Sequence, residues 1–386
     1  MRTHEQRRKA SRIFLVALVG LTILGNVPVA QAAVKRIALT KCRTAPVGPT
    51  TGVWFGVNHD WGSSTLAQYA QRLGHAPALA GNYVHLPLRT QDVTYLNAAA
   101  EQVRQNRGTL LVTVEPHEGL AAVTPTAISA LVSLLKNYND MGVQVLVRYA
   151  HEMNGNWYPW AQDPAPYIAS YRAVAKAVHF GAKCSAMAWT PNYGGSYPFA
   201  GGQYSAPAGS ARAKALDTND DGQLTRTDNA YSPYYPGDDA VDWVGLSISH
   251  WGDSYPWGRN TVSEAGKLAA MITGTYNGLN GDQRAVADFY ADFAVAHRKA
   301  FGVFETAALY TPETGGLDAV TVKSSWWQQT YAVDLPARFP RLKLLGWFEW
   351  DKYEADANGR VDWTATNDAT VRAAYQAALP TWLVFA

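Results

Sequence analysis

Eight short runs rich in β-branched and aromatic residues recur along almost the whole chain, all but the fifth followed by a stretch with helical periodicity. That alternation limits the fold more than any other feature. The strand-like runs fall at 52–57, 78–85, 109–114, 143–149, 185–189, 241–247, 301–305 and 342–348. Helical patterns occupy 65–73, 93–107, 125–138, 165–178, 282–299, 324–334 and 369–379. Asp92 and Thr124 stand where helix N-caps belong, and Pro125 suits a first helical position. Eight strands with interleaved helices predict an α/β fold, a (β/α)8 TIM barrel over 52–386. Between strands five and six, 193–239 is rich in Gly, Pro, Ser and Asp, which predicts a long decorated loop and no second domain.

A barrel of this kind places its reactive groups at the carboxyl ends of the strands. There the fourth strand delivers Val147-Arg148-Tyr149-Ala150-His151-Glu152, followed at once by Trp157, Tyr158 and Trp160. A carboxyl at a strand end, beside rings that can stack on sugars, is what cleavage of a glycosidic bond requires. The retaining route needs a second carboxylate as nucleophile, about 5–5.5 Å from the first. Glu305, at the end of strand seven, offers it.

Each acid also has a plainer reading. Arg148 and Glu152 share the parity of Leu146, so an ion pair that only braces the strand end is one alternative. The turn Asn154-Gly155-Asn156 and the ring of Trp157 favour a site. To serve as general acid, Glu152 must have its pKa lifted, most simply by apolar neighbours such as Trp157. Glu305 shares parity with Phe301 and Val303; its alternative is a solvated loop glutamate. Glu313 is a rival, but Pro312, Gly315 and Gly316 around it predict a turn. Glu115 and Glu349, two further strand-end acids, fit binding of hydroxyls or bracing of the site. His59-Asp60-Trp61 and His117 follow strands one and three, where either substrate contact or a surface hydrogen bond suits them. Trp251 and Trp257, in a Gly- and Pro-rich loop, suit a stacking platform, and Tyr158, Trp347 and Trp350 join the candidate sugar contacts.

The run Arg148 to Gly155, with Trp157-Tyr158-Pro159-Trp160, resembles the acid/base signature of glycoside hydrolase family 26. The likeness extends through Ala188-Trp189-Thr190-Pro191-Asn192, through 234–245 and 299–306, and to Gly346-Trp347-Phe348-Glu349-Trp350. The resemblance implies Glu152 as acid/base and Glu305 as nucleophile, with His151 near the sugar 2-hydroxyl and Trp157 stacking at the cleavage point. It implies a β-mannanase, or a mixed-linkage β-glucanase or β-1,3-xylanase of the same family. Members usually present a tyrosine near the end of strand six that bonds the nucleophile. Here Ser247-Ile248-Ser249-His250-Trp251 has none, so either His250 substitutes or the contact is lost. That gap motivates a second class of reading, a catalytically weak carbohydrate-binding barrel.

The amino-terminal residues carry five cations and one anion up to Arg12, then an apolar stretch over 13–29 and Ala30-Gln31-Ala32. This order predicts a secretory signal over 1–32, followed by an extension over 33–51 and a secreted protein. An uncleaved membrane anchor is the alternative. Removing 1–32 turns the formal +2 into about −2, which leaves no basic surface for nucleic acid. In an oxidising compartment Cys42 and Cys184 can pair, although sequence does not decide it. With 14 Trp and 21 Tyr against 17% charged residues, many of them beside Gly, Pro and Asn, an aromatic-lined cleft is expected.

One other constellation stands apart. Asp217, Asn219, Asp221, Thr225 and Asp228 occupy positions 1, 3, 5, 9 and 12 of a calcium-type loop, with Gly222 at position 6 and Gln223 at position 7. A structural calcium that stiffens the decorated loop is expected, against the alternative of a soluble Asp/Asn turn. No cofactor is expected for catalysis. The combined expectation is a secreted, monomeric, retaining endo-β-glycanase acting on polysaccharide, β-1,4-mannan first.

Overall fold

A computed structural model describes residue 42 and residues 44–278 and 283–386. The proposed signal lies outside the described residues, as do 33–41 and residue 43 of the extension. All eight expected strands form: β1 Val53–His59, β2 Leu79–His85, β3 Thr109–Glu115, β4 Val145–Tyr149, β5 Ser185–Trp189, β6 Trp243–Ser247, β7 Ala300–Thr306 and β8 Leu342–Glu349. Neighbours pair in parallel in chain order and β1 pairs with β8, which closes the barrel. A hairpin follows β8, β9 Asp351–Glu354 and β10 Gly359–Asp362, and β11 Leu383–Val384 adds to β1.

The helices are α1 Leu66–Leu73, α2 Thr90–Gln105, α3 Pro125–Asp140, α4 Pro164–Gly181, α5 Ala211–Leu216, α6 Lys267–Ile272, α7 Ala319–Thr330, α8 Leu335–Arg338 and α9 Ala369–Ala378. Local chemistry sets their ends. Thr65 and Gln68 form a reciprocal capping box on α1, and the Thr124 side chain accepts from Ala127 N–H at the start of α3, with Pro125 next. Asp92 is not an N-cap. Arg89 holds that place, and Asp92 sits three residues later, where its Oδ2 accepts from Arg89 N–H at 2.8 Å.

The helix expected over 282–299 is reduced to one wide helical turn, Tyr290–Val295, within the described residues. Its leading residues are captured by the loops: Arg284 N–H donates to Gly195 O and Val286 N–H to Gly274 O, which pulls them out of helical geometry. The region between β5 and β6 is the decorated loop, with α5 and two short 3-10 turns, Gly194–Ser196 and Ser232–Tyr234.

Strand alternation sorts the core into two layers. Leu79, Leu111, Leu146, Ala186, Ala188, Trp243, Phe304 and Leu344 fill the barrel interior. The opposite parity, including Phe55, Val57, Val112, Val147, Val303, Leu345 and Trp347, packs against the helices. At the amino-terminal end of the strands, Ala45 packs on the interior cluster and Trp243 Nε1 donates to Pro46 O at 2.8 Å. Cys42 and Cys184 form a disulfide there, with Cα atoms 6.0 Å apart. No helix among the described residues is long and apolar enough to cross a membrane.

Candidate active site

β4 points Arg148 inward on the parity of Leu146, and the guanidinium is fully buried. It gathers three partners: Nε donates to Thr190 Oγ1 at 2.9 Å, Nη2 to Ser247 Oγ at 2.7 Å, and Nη1 pairs with Glu305 Oε1. The ion pair that the plainer reading gave to Arg148 and Glu152 is made between Arg148 and Glu305 instead.

Glu152 is placed by a turn and not by strand alternation. β4 stops at Tyr149, and Ala150 and Glu152 both adopt left-handed backbone, with φ of 45° and 54°. The Glu152 N–H donates to Thr190 O at 2.9 Å, which fixes the turn against β5. Its Oε2 accepts from Trp157 Nε1 at 3.0 Å. Gly155 makes that fold-back possible, because a Cβ there would lie 2.5 Å from the Trp157 ring. Burial pushes the Glu152 carboxyl up, the negative Glu305 adds to the rise, and Arg148 opposes it.

Glu305 owes its direction to an irregularity in β7. By alternation it would follow Phe301 and Val303 toward the helices. The pairing of β7 shifts register against β6 between Leu246 and Ser247, and against β8 between Val303 and Thr306. Phe304 stays inside the barrel, Glu305 also reaches the inward-facing Arg148, and Thr306 faces α7, where its Oγ1 accepts from Trp326 Nε1 at 2.8 Å. Such bulges re-aim side chains beside active sites. Two features accommodate this one. Asn58, buried on β1, donates from Nδ2 to Phe304 O at 2.7 Å, and Gly346 leaves room where a Cβ would sit 2.4 Å from that same oxygen.

The expected partner of Glu305 is corrected by the structure. His250 does not approach it. That ring is buried elsewhere, with Nε2 against Thr261 O at 2.9 Å and Nδ1 3.3 Å from the buried Lys267 Nζ. Tyr83, from β2, supplies the hydroxyl instead and donates to Glu305 Oε1 at 2.8 Å. The sequence reading missed Tyr83. Its signal was present all the same, an aromatic residue on the inward parity of Leu79 and Gly81 near a strand end.

Rings and histidines build the adjoining wall. His151 is buried, its ring centroid 5.0 Å from that of Tyr158, and Tyr158 stacks on Trp160 at 4.3 Å. Burial, with Arg148 and His117 nearby, holds His151 well below the usual histidine range, so it is neutral. His117 lies 5.1 Å from His85, ring to ring, and its Nε2 meets Glu115 Oε2 at 3.2 Å, a contact that raises its pKa. Trp157 is 38% exposed, free to meet a ligand on its open face. Trp350 is half-buried and edge-on to Tyr83 at 6.5 Å.

Several expected contacts do not reach this place. Trp347 is a correction: it has the outward parity of Leu345 and packs against Tyr331 and Tyr375. Glu349 is outward too, spent on the N–H groups of Ala365 and Thr366 and the Thr366 hydroxyl. His59 is buried against Ser64 O. Glu313 is exposed in the turn that its neighbours predicted. Trp251 is half-buried, with its ring edge-on to Trp363 at 5.0 Å.

In the calcium-type loop, Asp217 accepts from the N–H groups of Asp221 and Gly222, and Asn219 Oδ1 accepts from Asp221 N–H. Asp221 Oδ1 accepts from Gln223 N–H, while Thr225 Oγ1 contacts Thr227. Asp228 is buried and bonds the N–H groups of Thr218 and Thr225. Among the described residues, no group of three or more His, Cys, Asp or Glu is gathered as for a metal.

Comparison with known proteins adds an independent line. Residues 106–199 match the model of glycosyl hydrolase family 26. Endoglucanase H of Acetivibrio thermocellus is 20% identical over 341 residues, 86% of this chain but 30% of that protein's length. Among solved structures, GH26C from a Muricauda species aligns with a TM-score of 0.54 at 13% identity, covering 87% of each chain. The catalytic domain of a Bacillus endo-β-1,4-mannanase aligns with a TM-score of 0.53 at 16% identity, covering 86% of this chain and 87% of that one. The matched stretch contains Arg148, His151, Glu152, Trp157 and Thr190, so the part of the chain that builds the site matches the glycosyl hydrolase family 26 model, on a barrel with the fold of these solved structures.

Proposed function

We propose that this protein is a secreted, retaining endo-β-glycanase, with Glu152 as acid/base and Glu305 as nucleophile. The observation that carries it is the asymmetry between the two acids. Glu152 is half-buried and pushed toward its protonated form, with the negative Glu305 adding to that push, while Glu305 itself pairs with the cationic Arg148. A carboxyl whose surroundings favour its protonated form suits the general acid, and one paired with a cation suits the nucleophile. In the first step Glu305 bonds the anomeric carbon as the leaving oxygen takes the Glu152 proton. In the second, water attacks that carbon and gives its proton back to Glu152. His151 and Trp157, with Tyr158, His117 and Trp350, are the proposed sugar contacts.

β-1,4-Mannan is the proposed substrate, on the resemblance of the motifs and on the mannanase among the similar folds. Mixed-linkage β-glucan is the second reading, favoured by the relative named as an endoglucanase. A screen of mannan, mixed-linkage glucan and xylans, read by reducing ends and by the anomer first released, tests both the class and the choice. Glu152→Ala should lower kcat by about 10²–10⁴-fold, and Glu305→Ala at least as much. Near-normal turnover by Glu305→Ala would sink the assignment. For the loop around Asp217, Asn219, Asp221 and Gln223, a structural calcium is proposed on ligand spacing. A melting temperature indifferent to calcium and chelator would refute it.

A further inference from the structure

We infer that Tyr83 is a positioning residue for the nucleophile, which holds Glu305 by Oε1 so that Oε2 makes the attack. The inference rests on the reading of Glu305 proposed above. Both donors that reach this carboxylate, the Tyr83 hydroxyl and Arg148 Nη1, converge on one oxygen, Oε1. Among the described residues no hydrogen bond reaches Oε2, and the side chain is 17% exposed, so the second oxygen is the one open to a ligand.

Tyr83 is not a core tyrosine that touches Glu305 incidentally. Its hydroxyl bonds nothing else among the described residues, and its ring stands between His151 and Trp350, at 6.4 and 6.5 Å, on the cleft side of the barrel. Burial and the neighbouring Glu305 push the phenol well above its ordinary range, so it stays a donor throughout. A carboxylate tied at one point by Arg148 can still swing about that contact. A second donor, carried by β2 where Arg148 is carried by β4, restricts that freedom.

During the first step the Oε2–C1 bond forms while the bond from C1 to the leaving oxygen breaks, and Glu152 gives its proton to that oxygen. In the second, water oxygen bonds C1, its proton passes to Glu152, and the C1–Oε2 pair returns to Glu305. The Tyr83 proton remains on Tyr83. In the first step its bond to Oε1 keeps Oε2 aimed at C1, and in the second it strengthens as charge returns to the departing carboxylate.

The test is Tyr83→Phe, measured on the polysaccharide that the wild type cleaves fastest and on the matching 2,4-dinitrophenyl β-disaccharide. The activated aryl group leaves without help from an acid. Loss of a bond to a charged group predicts a fall in kcat of about 10–100-fold, with KM changed less than about twofold. The fall should appear on both substrates and the melting temperature should stay the same. Glu152→Ala provides the contrast, because its defect in the first step should recover on the aryl glycoside. Unchanged kcat in Tyr83→Phe overturns the inference. So does a defect confined to polysaccharide, a pure KM effect, or a large drop in melting temperature, each of which makes Tyr83 a substrate contact or a core residue. Absence of turnover by the wild type on every substrate overturns the glycanase reading and this inference together. Wild-type turnover with an unaffected Tyr83→Phe overturns this inference alone.

Discussion

Trp157 carries two tasks that one substitution can separate. Its Nε1–H donates to Glu152 Oε2 at 3.0 Å, and this bond favours the charged carboxylate against the burial that opposes it. As the proposed acid, Glu152 must be protonated in the first step, so activity should be lost as pH rises through its raised pKa, which would set the basic limb of the kcat/KM profile. In Trp157→Phe the bond to the charged form is gone, the pKa climbs further, and the basic limb moves to higher pH. The ring remains available for stacking. A pH profile of the variant with its basic limb unmoved, or moved to lower pH, would contradict this. At this scale the sequence was uneven in what it revealed. Glu152 and Trp157 stand in one contiguous run whose spacing speaks for itself. Tyr83 and Ser247 meet the same site from other strands, and only folding brings them near Arg148. Trp347 misled because its neighbours in sequence are aromatic and acidic, while parity alone turns it toward α7 and α9.

Elements, once formed, decide which way side chains look, and β7 shows how. The strand itself was plain from Phe301-Gly302-Val303-Phe304, and its register shifts were not. A regular strand would have sent Glu305 into the helical layer beside Phe301 and Val303. Bulges depend on the partners on either side, here Ser247 on β6 and Gly346 on β8, so a single run of residues does not announce them. The buried Asn58 is the polar brace of this one, and its loss leaves the Phe304 carbonyl without that donor inside the barrel. Asn58→Ala should cost about 1–3 kcal/mol of stability and lower kcat more than KM, because the proposed nucleophile is misdirected while the proposed sugar contacts remain. Chemical denaturation and steady-state kinetics check the two halves. Wild-type kcat in a destabilised Asn58→Ala would show that the brace is not needed to aim Glu305. The helix expected over 282–299 failed for a related reason: its apolar pattern was real, yet Gly195 and Gly274 offered its first residues better backbone partners.

For the whole molecule, the two ends of the barrel divide the labour, as the parity of the interior cluster implies. Tyr83, Arg148, Glu152 and Glu305 gather at the carboxyl end of the strands. The opposite end is closed by the segment around Ala45 and Pro46, which packs on Trp243 and is tied down by the disulfide of Cys42 and Cys184. The eight-stranded plan could be read from the sequence because each strand and helix announces itself locally. This closure could not, since nothing local links Cys42 to a residue 142 positions away. A cross-link over so long a segment stabilises mainly by restricting the unfolded chain, typically by about 2–4 kcal/mol. The double variant Cys42→Ser, Cys184→Ser should therefore melt about 3–6 °C lower in a domain of this size. Its kcat and KM at 25 °C should match the wild type, because among the described residues none of Tyr83, Arg148, Glu152 and Glu305 bonds the closing segment. Calorimetry and kinetics on the same sample test this together. If turnover falls while the melting temperature holds, the disulfide end of the barrel must be coupled to the glutamates, and the division between a closing end and a reacting end is wrong.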